Sequence, residues 1–100
     1  MVALDVLDRE SAKNLAELFR AFSDPSRLRI ISVLASKELN VNALADMVGL
    51  SKSATSHQLR GLRQMRLVAT KKVGRQVFYR LDDEHIKDLY LQGLDHITHE

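Results

Sequence analysis

The sequence predicts a mainly α domain with one small β-hairpin, paired with a second copy of itself through its N- and C-terminal helices. Three observations carry that expectation. Apolar residues recur at helical spacing along most of the chain, two short runs of β-formers flank a single glycine turn, and the last helix carries half-complete metal sites. With 100 residues and 45% apolar content, residues 1–100 suffice for one domain with one modest core, a size that often gains stability by pairing.

Leu15, Leu18, Phe19 and Phe22 stand at i, i+3, i+4 and i+7, predicting a first amphipathic helix from about residue 9 to residue 22. Asp24 followed by Pro25 restarts the chain. Asp24 can accept from free amides, and proline suits a first helical position, where its missing N–H has no partner to lose. The second helix carries Leu28, Ile31, Val33 and Leu34, ending near Ser36. LNVNALADMVGL is a short third helix with Leu44, Ala45 and Val48 inward, closed by Gly49. Ser51 caps the fourth helix, SKSATSHQLRGLRQM, in which Ala54, Leu59 and Leu62 are expected to face the core. In LVATKKVGRQVFYRL, Val68, Val77 and Tyr79 flank Gly74, the turn of a two-stranded hairpin. The last helix opens at Asp82 or Asp83 with an apolar stripe of Ile86, Leu89, Tyr90, Gly93, Leu94 and Ile97.

Net charge is only +2, yet it is unevenly distributed. Residues 51–80 contain Lys52, Arg60, Arg63, Arg66, Lys71, Lys72, Arg75 and Arg80 with no acid among them. Residues 82–100 contain Asp82, Asp83, Glu84, Asp88, Asp95 and Glu100 against the single base Lys87. A wholly basic stretch inside a folded domain suits a polyanion, and the acidic stretch after it suits a cation.

A short helix, a glycine turn and a helix opening with small polar side chains make a helix-turn-helix, which presents its second helix to the major groove. Ser53, Thr55, Ser56 and His57 can approach base edges closely, while Lys52, Arg60 and Arg63 reach phosphates. Lys71, Lys72, Arg75 and Gln76 surround the hairpin tip, completing a winged helix-turn-helix whose wing can rest on the DNA backbone or in a minor groove. Operator DNA is the partner this reading implies.

Asp83, His85, His96 and His99 have metal-ligand chemistry but cannot meet within one chain. At about 100° per residue, His85 and His96 share a helix face yet stand about 16.5 Å apart along the axis. Zinc requires ligand atoms at about 2.0–2.2 Å. Asp83 with His85, and His96 with His99, are therefore two half-sites, each completed by another protomer in an antiparallel helix pair. Gly93 would allow the two backbones to approach closely.

The chain has no cysteine, which excludes disulfides, thiolate metal sites and thiol redox switching. Its N-terminal stretch lacks a basic region followed by an apolar core, and no apolar run approaches the length of a membrane span, so a cytoplasmic protein without membrane contact is expected. No enzyme is expected either. Four protein ligands would close a tetrahedron, and there is no glycine-rich phosphate loop or nucleophile arrangement.

DPSRLRIISVL, ALADMVGLSKSATSHQLRGLRQMRLV, GRQVFYRL and the D-x-H-x10-H-x2-H pattern of the last helix resemble the ArsR/SmtB family of metal-responsive repressors, over nearly the whole chain. That resemblance implies a dimeric winged helix that represses metal-efflux or sequestration genes and leaves its operator when metal binds. It puts Asp83, His85, His96 and His99 in ligand roles like those of the zinc and cobalt sensors. Relatives often carry a thiol site near the third helix, where this chain reads ELNVNALAD with Asn40 in its place, so thiolate-dependent sensing of cadmium, lead or arsenite is not expected. Three imidazoles and a carboxylate suit tetrahedral Zn²⁺, with Co²⁺ a close mimic, and suit octahedral Ni²⁺ less well. His96 is the expected transmitter, its second ring nitrogen bonding a carbonyl near Arg66. The competing reading is a winged-helix DNA-binding regulator without metal control.

Overall fold

The computed structural model describes residues 5–99. Its elements run α1 (Arg9–Ala21), α2 (Pro25–Leu34), β1 (Leu39–Asn40), α3 (Val41–Val48), α4 (Lys52–Gln64), β2 (Val68–Val73), β3 (Gln76–Leu81) and α5 (Glu84–Thr98). The strands form one antiparallel sheet in the order β1-β3-β2. β1 was not expected from sequence, because two residues carry no readable alternation; it pairs Leu39 with Tyr79 and Asn40 with Phe78.

Each helix opens on a short side chain that accepts a hydrogen bond from an otherwise unpaired amide, as the exposed donors of a first turn require. Asp8 accepts from Ser11 at 3.0 Å, Asp24 from Arg27 at 3.0 Å, Asn40 from Ala43 at 2.8 Å and Ser51 from Ala54 at 3.0 Å. Asp83 accepts from His85 at 2.8 Å and Ile86 at 3.2 Å. The Ser11 amide holds the Asp8 carboxyl below its ordinary value. Because the folded value is the lowered one, that cap acts at neutral pH and is lost as pH falls through it.

α1 stops at Ala21 and α2 at Leu34, slightly earlier than expected. Arg27 closes the joint between them, donating from Nε to the Ala21 carbonyl (2.9 Å) and from Nη2 to that of Arg20 (3.0 Å). Arg29 likewise donates to the Val48 carbonyl at 2.7 Å, fastening α2 to the end of α3. Gly49 then turns the chain with φ 73°, a left-handed conformation that glycine adopts without strain.

The core joins Ala21, Ile30, Ile31 and Leu34 to Leu44 and Val48 of α3, Leu59 and Leu62 of α4, and Leu67, Val68, Leu81 and Ile86. One expectation about facing residues is corrected. Ala54 is exposed and Thr55 is fully buried, because the inward line of α4 is Thr55, Leu59 and Leu62 at i, i+4 and i+7. Burial is tolerable for Thr55 because its hydroxyl donates to the Ser51 carbonyl at 2.8 Å.

The apolar stripe of α5 is left largely open in the single chain. Only Ile86 is buried, while Leu89, Leu94 and Ile97 remain exposed, Ile97 by 78%. Phe19 of α1 is exposed as well. Between these helices and α2 lies an open apolar groove of about 500 Å³, lined by residues that include Phe19, Phe22, Tyr90, Gly93 and Ile97.

Candidate functional site

α3, the turn through Gly49 and Leu50, and α4 form the helix-turn-helix, with β2 and β3 as its wing. Buried Thr55, Leu59 and Leu62 fix the rotation of α4 about its own axis. That rotation leaves Lys52, Ser53, His57, Arg60 and Arg63 exposed and Ser56 half-covered. Thr55, expected among the base-contacting residues, is removed from that surface by its burial and its bond to Ser51. Ala54 takes a place on it instead. Helical phase measured from Leu59 and Leu62 could have found both, since position 55 lies on their line and position 54 does not.

The wing is a six-residue ladder from Val68↔Leu81 to Val73↔Gln76, closed by Gly74 and Arg75. Gly74 takes φ 63° at the first loop position, as a two-residue hairpin turn requires of one of its residues. Lys71, Lys72 and Arg75 are exposed. Among the described residues no carboxylate pairs with any of these cations or with those of α4, so their charge is available to an outside polyanion. Gln76 differs: its Oε1 accepts from Asn40 Nδ2 at 2.9 Å, so part of its hydrogen-bonding capacity is used within the chain.

The acidic and imidazole groups lie on α5. At its start, Asp83 Oδ1 stands 3.5 Å from His85 Nδ1, with His85 90% exposed and Asp83 49%. Asp83 is therefore the helix cap and also stands beside an imidazole; its Oδ1 accepts the amides while no partner occupies Oδ2 among the described residues. At the other end, His96 and His99 line a shallow groove with Leu91, Gln92 and Asp95. His99 is the last turn's cap: its N–H bonds the Asp95 carbonyl at 2.8 Å, and its ψ of 134° leads the chain out of the helix.

The structure thus sets Asp83 beside His85 at one end of α5 and lines a groove with His96 and His99 at the other. Among the described residues, no three potential ligands of this chain gather around one point. The donor chemistry fits a borderline divalent ion, with imidazole nitrogens and one carboxylate and no thiolate. Asp95, which sequence reasoning did not single out, adds a carboxylate to the groove; its i, i+4 spacing from His99 was the available signal. Asn40 stands where a thiol site was considered, and its amide is committed to capping α3 and binding Gln76.

Among the described residues, no helix is long and apolar enough to cross a membrane. Residues 24–70 match the family described as bacterial regulatory protein, arsR family. Over 93 residues, 93% of this chain and 70% of the relative, the sequence is 48% identical to the transcriptional repressor SmtB homolog of Synechocystis sp.. It is also 39% identical to the regulator NmtR of Mycobacterium tuberculosis, over 93% of this chain and 78% of that protein. The solution structure of apo-NmtR superposes with a TM-score of 0.82, covering 100% of this chain and 84% of that one. A winged helix-turn-helix DNA-binding domain of Mycobacterium bovis, described as homodimeric, is 26% identical with a TM-score of 0.80, covering 98% and 96% of the two chains.

Proposed function

The chain belongs to the ArsR/SmtB family of metal-responsive transcriptional repressors, and from that premise we propose that it binds operator DNA as a homodimer and releases it on binding zinc, derepressing metal-efflux or sequestration genes. One observation carries the metal part of this reading. The ligand pairs sit at opposite ends of α5, so a second chain is needed to complete either of them. The apolar groove between α1, α2 and α5 supports a two-fold pairing that buries the exposed faces of both terminal helices. A homodimeric neighbour of the same fold supports it further.

In the proposed dimer, Asp83 and His85 of one protomer with His96 and His99 of its partner would hold the ion. When bound, the ion supplies a cross-link between the two last helices. His57, Ser53 and Ser56 read base edges from α4, and Lys52, Arg60, Arg63, Lys71, Lys72 and Arg75 contact the phosphate backbone. Two-fold symmetry places one α4 in each of two successive major grooves, about 34 Å apart. A dimer geometry that breaks this spacing disfavours DNA, and by linkage metal and operator weaken each other by the same factor. His96 carries the coupling by donating from its second ring nitrogen to the Arg66 carbonyl, which accepts no bond among the described residues. The protein acts by binding, not catalysis, in the cytoplasm where its operator lies.

The test is fluorescence anisotropy on a duplex selected from a random-sequence pool, with and without zinc. Zinc is expected to weaken binding by about fivefold to 150-fold, the usual range of such couplings. Asp83→Ala and His96→Ala proteins should bind the duplex but ignore zinc. Zinc-indifferent binding by the unaltered protein would leave a DNA-binding regulator without metal control. His96→Asn should reduce the coupling more than it reduces zinc affinity measured by competition with a chelator. An intact response in that variant overturns the relay.

A further inference from the structure

We propose that Asn40 is a positioning residue for DNA binding: its side-chain amide struts the wing against the helix-turn-helix, using Gln76 as the far anchor. The proposal rests on the DNA-binding reading above, since the wing matters to function only if its cations meet a phosphate backbone.

The ladder between β1 and β3 has just two pairs, Leu39↔Tyr79 and Asn40↔Phe78. It cannot continue, because Val41 is already the first residue of α3. From that point outward β3 has no backbone neighbour on this edge, and the last rungs of the hairpin depend on β2 alone. The Asn40 side chain spans the gap. Its Nδ2 donates to Gln76 Oε1 at 2.9 Å across 36 residues of sequence, while its Oδ1 accepts the Ala43 amide of α3 at 2.8 Å. One amide therefore does two things: the oxygen starts α3 and the nitrogen extends the attachment of the wing beyond the point where backbone pairing stops.

Gln76 is next to the tip, directly opposite Val73 and adjacent in sequence to Arg75. Lys72 and Arg75 ride on the segment it anchors. α3 is packed against α4, so a strut from α3 fixes those cations relative to the recognition helix before DNA arrives. Order present in the free protein need not be imposed during binding, which is how such a contact raises affinity without touching the ligand. Gln76 is accordingly an internal anchor within the hairpin tip that was expected to rest on the DNA.

Amide chemistry supplies a test in which single changes keep the strut and their combination removes it. Asn40→Asp retains a capping oxygen, and the Gln76 amide can turn over to donate to the other oxygen. Gln76→Glu still accepts from Asn40 Nδ2. The double variant sets two carboxylates face to face with no donor between them. Asn40→Ser provides an independent route: the hydroxyl caps α3 but is too short to reach Gln76.

Affinity for the selected duplex is measured for all five proteins, together with thermal midpoints and amide hydrogen exchange across Val73–Val77. The strut predicts that the double variant binds roughly three- to tenfold more weakly than the product of the single effects, because the additive cost of new negative charge near DNA cancels in the cycle. Asn40→Ser should lose a similar factor with an unchanged midpoint, and exchange in Val73–Val77 should quicken in both proteins. Coupling below about twofold with unchanged exchange overturns the proposal. If the unaltered protein binds no duplex, the DNA reading fails, and the exchange measurement alone decides whether the strut exists: faster exchange upholds it as a structural contact and unchanged exchange removes it.

Discussion

Arg66 adopts φ 61°, the only non-glycine residue among those described with a positive φ. It follows α4 as the left-handed residue of a helix-closing motif, in which its own N–H bonds the Arg63 carbonyl at 3.0 Å and the Leu67 N–H bonds that of Leu62 at 2.9 Å. A side chain in this conformation costs about 1–2 kcal/mol, of which glycine would give back roughly 0.5–1 kcal/mol through its freer unfolded chain. Arg66→Gly should therefore raise stability by about 0.5–1 kcal/mol in urea denaturation, with little change in DNA binding if the Arg66 side chain makes no contact there. Thr55 gives a second residue-scale prediction. Its hydroxyl shares the Ser51 carbonyl with its own N–H, which bonds the same oxygen at 2.9 Å. Thr55→Val leaves no acceptor unpaired, so stability should hold within about 0.5 kcal/mol and duplex affinity should stay at its original value. A marked loss of affinity in anisotropy would return Thr55 to the base-reading surface. Neither feature was legible from residue types alone. Threonine in the polar opening of a helix reads as solvent-facing until the phase of Leu59 and Leu62 is imposed on it.

At the level of elements, the start of α5 places one side chain where two roles are open to it. Asp83 was open to two readings, a residue that favours the positive end of a helix or a metal ligand, and it occupies the cap position while standing 3.5 Å from His85. The two roles can be separated. Asp83→Asn keeps a good capping side chain and should change folding stability by less than about 0.5 kcal/mol, whereas Asp83→Ala should cost about 1 kcal/mol. Zinc affinity, read by chelator competition, should fall in both because both lose the carboxylate. If Asp83→Asn binds zinc as tightly as the unaltered protein, Asp83 is a cap alone. Helix starts at Asp24, Ser51 and Asp83 were readable because a capping side chain acts within its own first turn. β1 was not, since Leu39 and Asn40 become a strand only through β3, which lies far along the chain.

At the scale of the whole molecule, an apolar surface of the described residues lies outside the core. Leu89, Leu94 and Ile97 repeat at helical spacing, which reads equally as a packed face or as an interface, and the single chain leaves all three exposed. In the proposed dimer that surface is the contact between protomers. Ile97→Asp should then sediment as one chain and lose on the order of a hundredfold in operator affinity, because two half-sites would no longer be engaged together. A dimeric Ile97→Asp protein in sedimentation equilibrium would place the contact elsewhere.

The sequence by itself determined the helices, the caps at Asp24 and Ser51, the hairpin turn, the bipolar charge and the separation of Asp83 and His85 from His96 and His99 along the last helix. All of these follow from interactions within a few residues or from helical geometry applied to spacing. Only the tertiary structure decided that β1 joins the sheet, that Asn40 reaches Gln76, and that the stripe of α5 lies largely uncovered. Each of these depends on which distant segment packs against which face, and periodicity states that a face exists without naming what covers it.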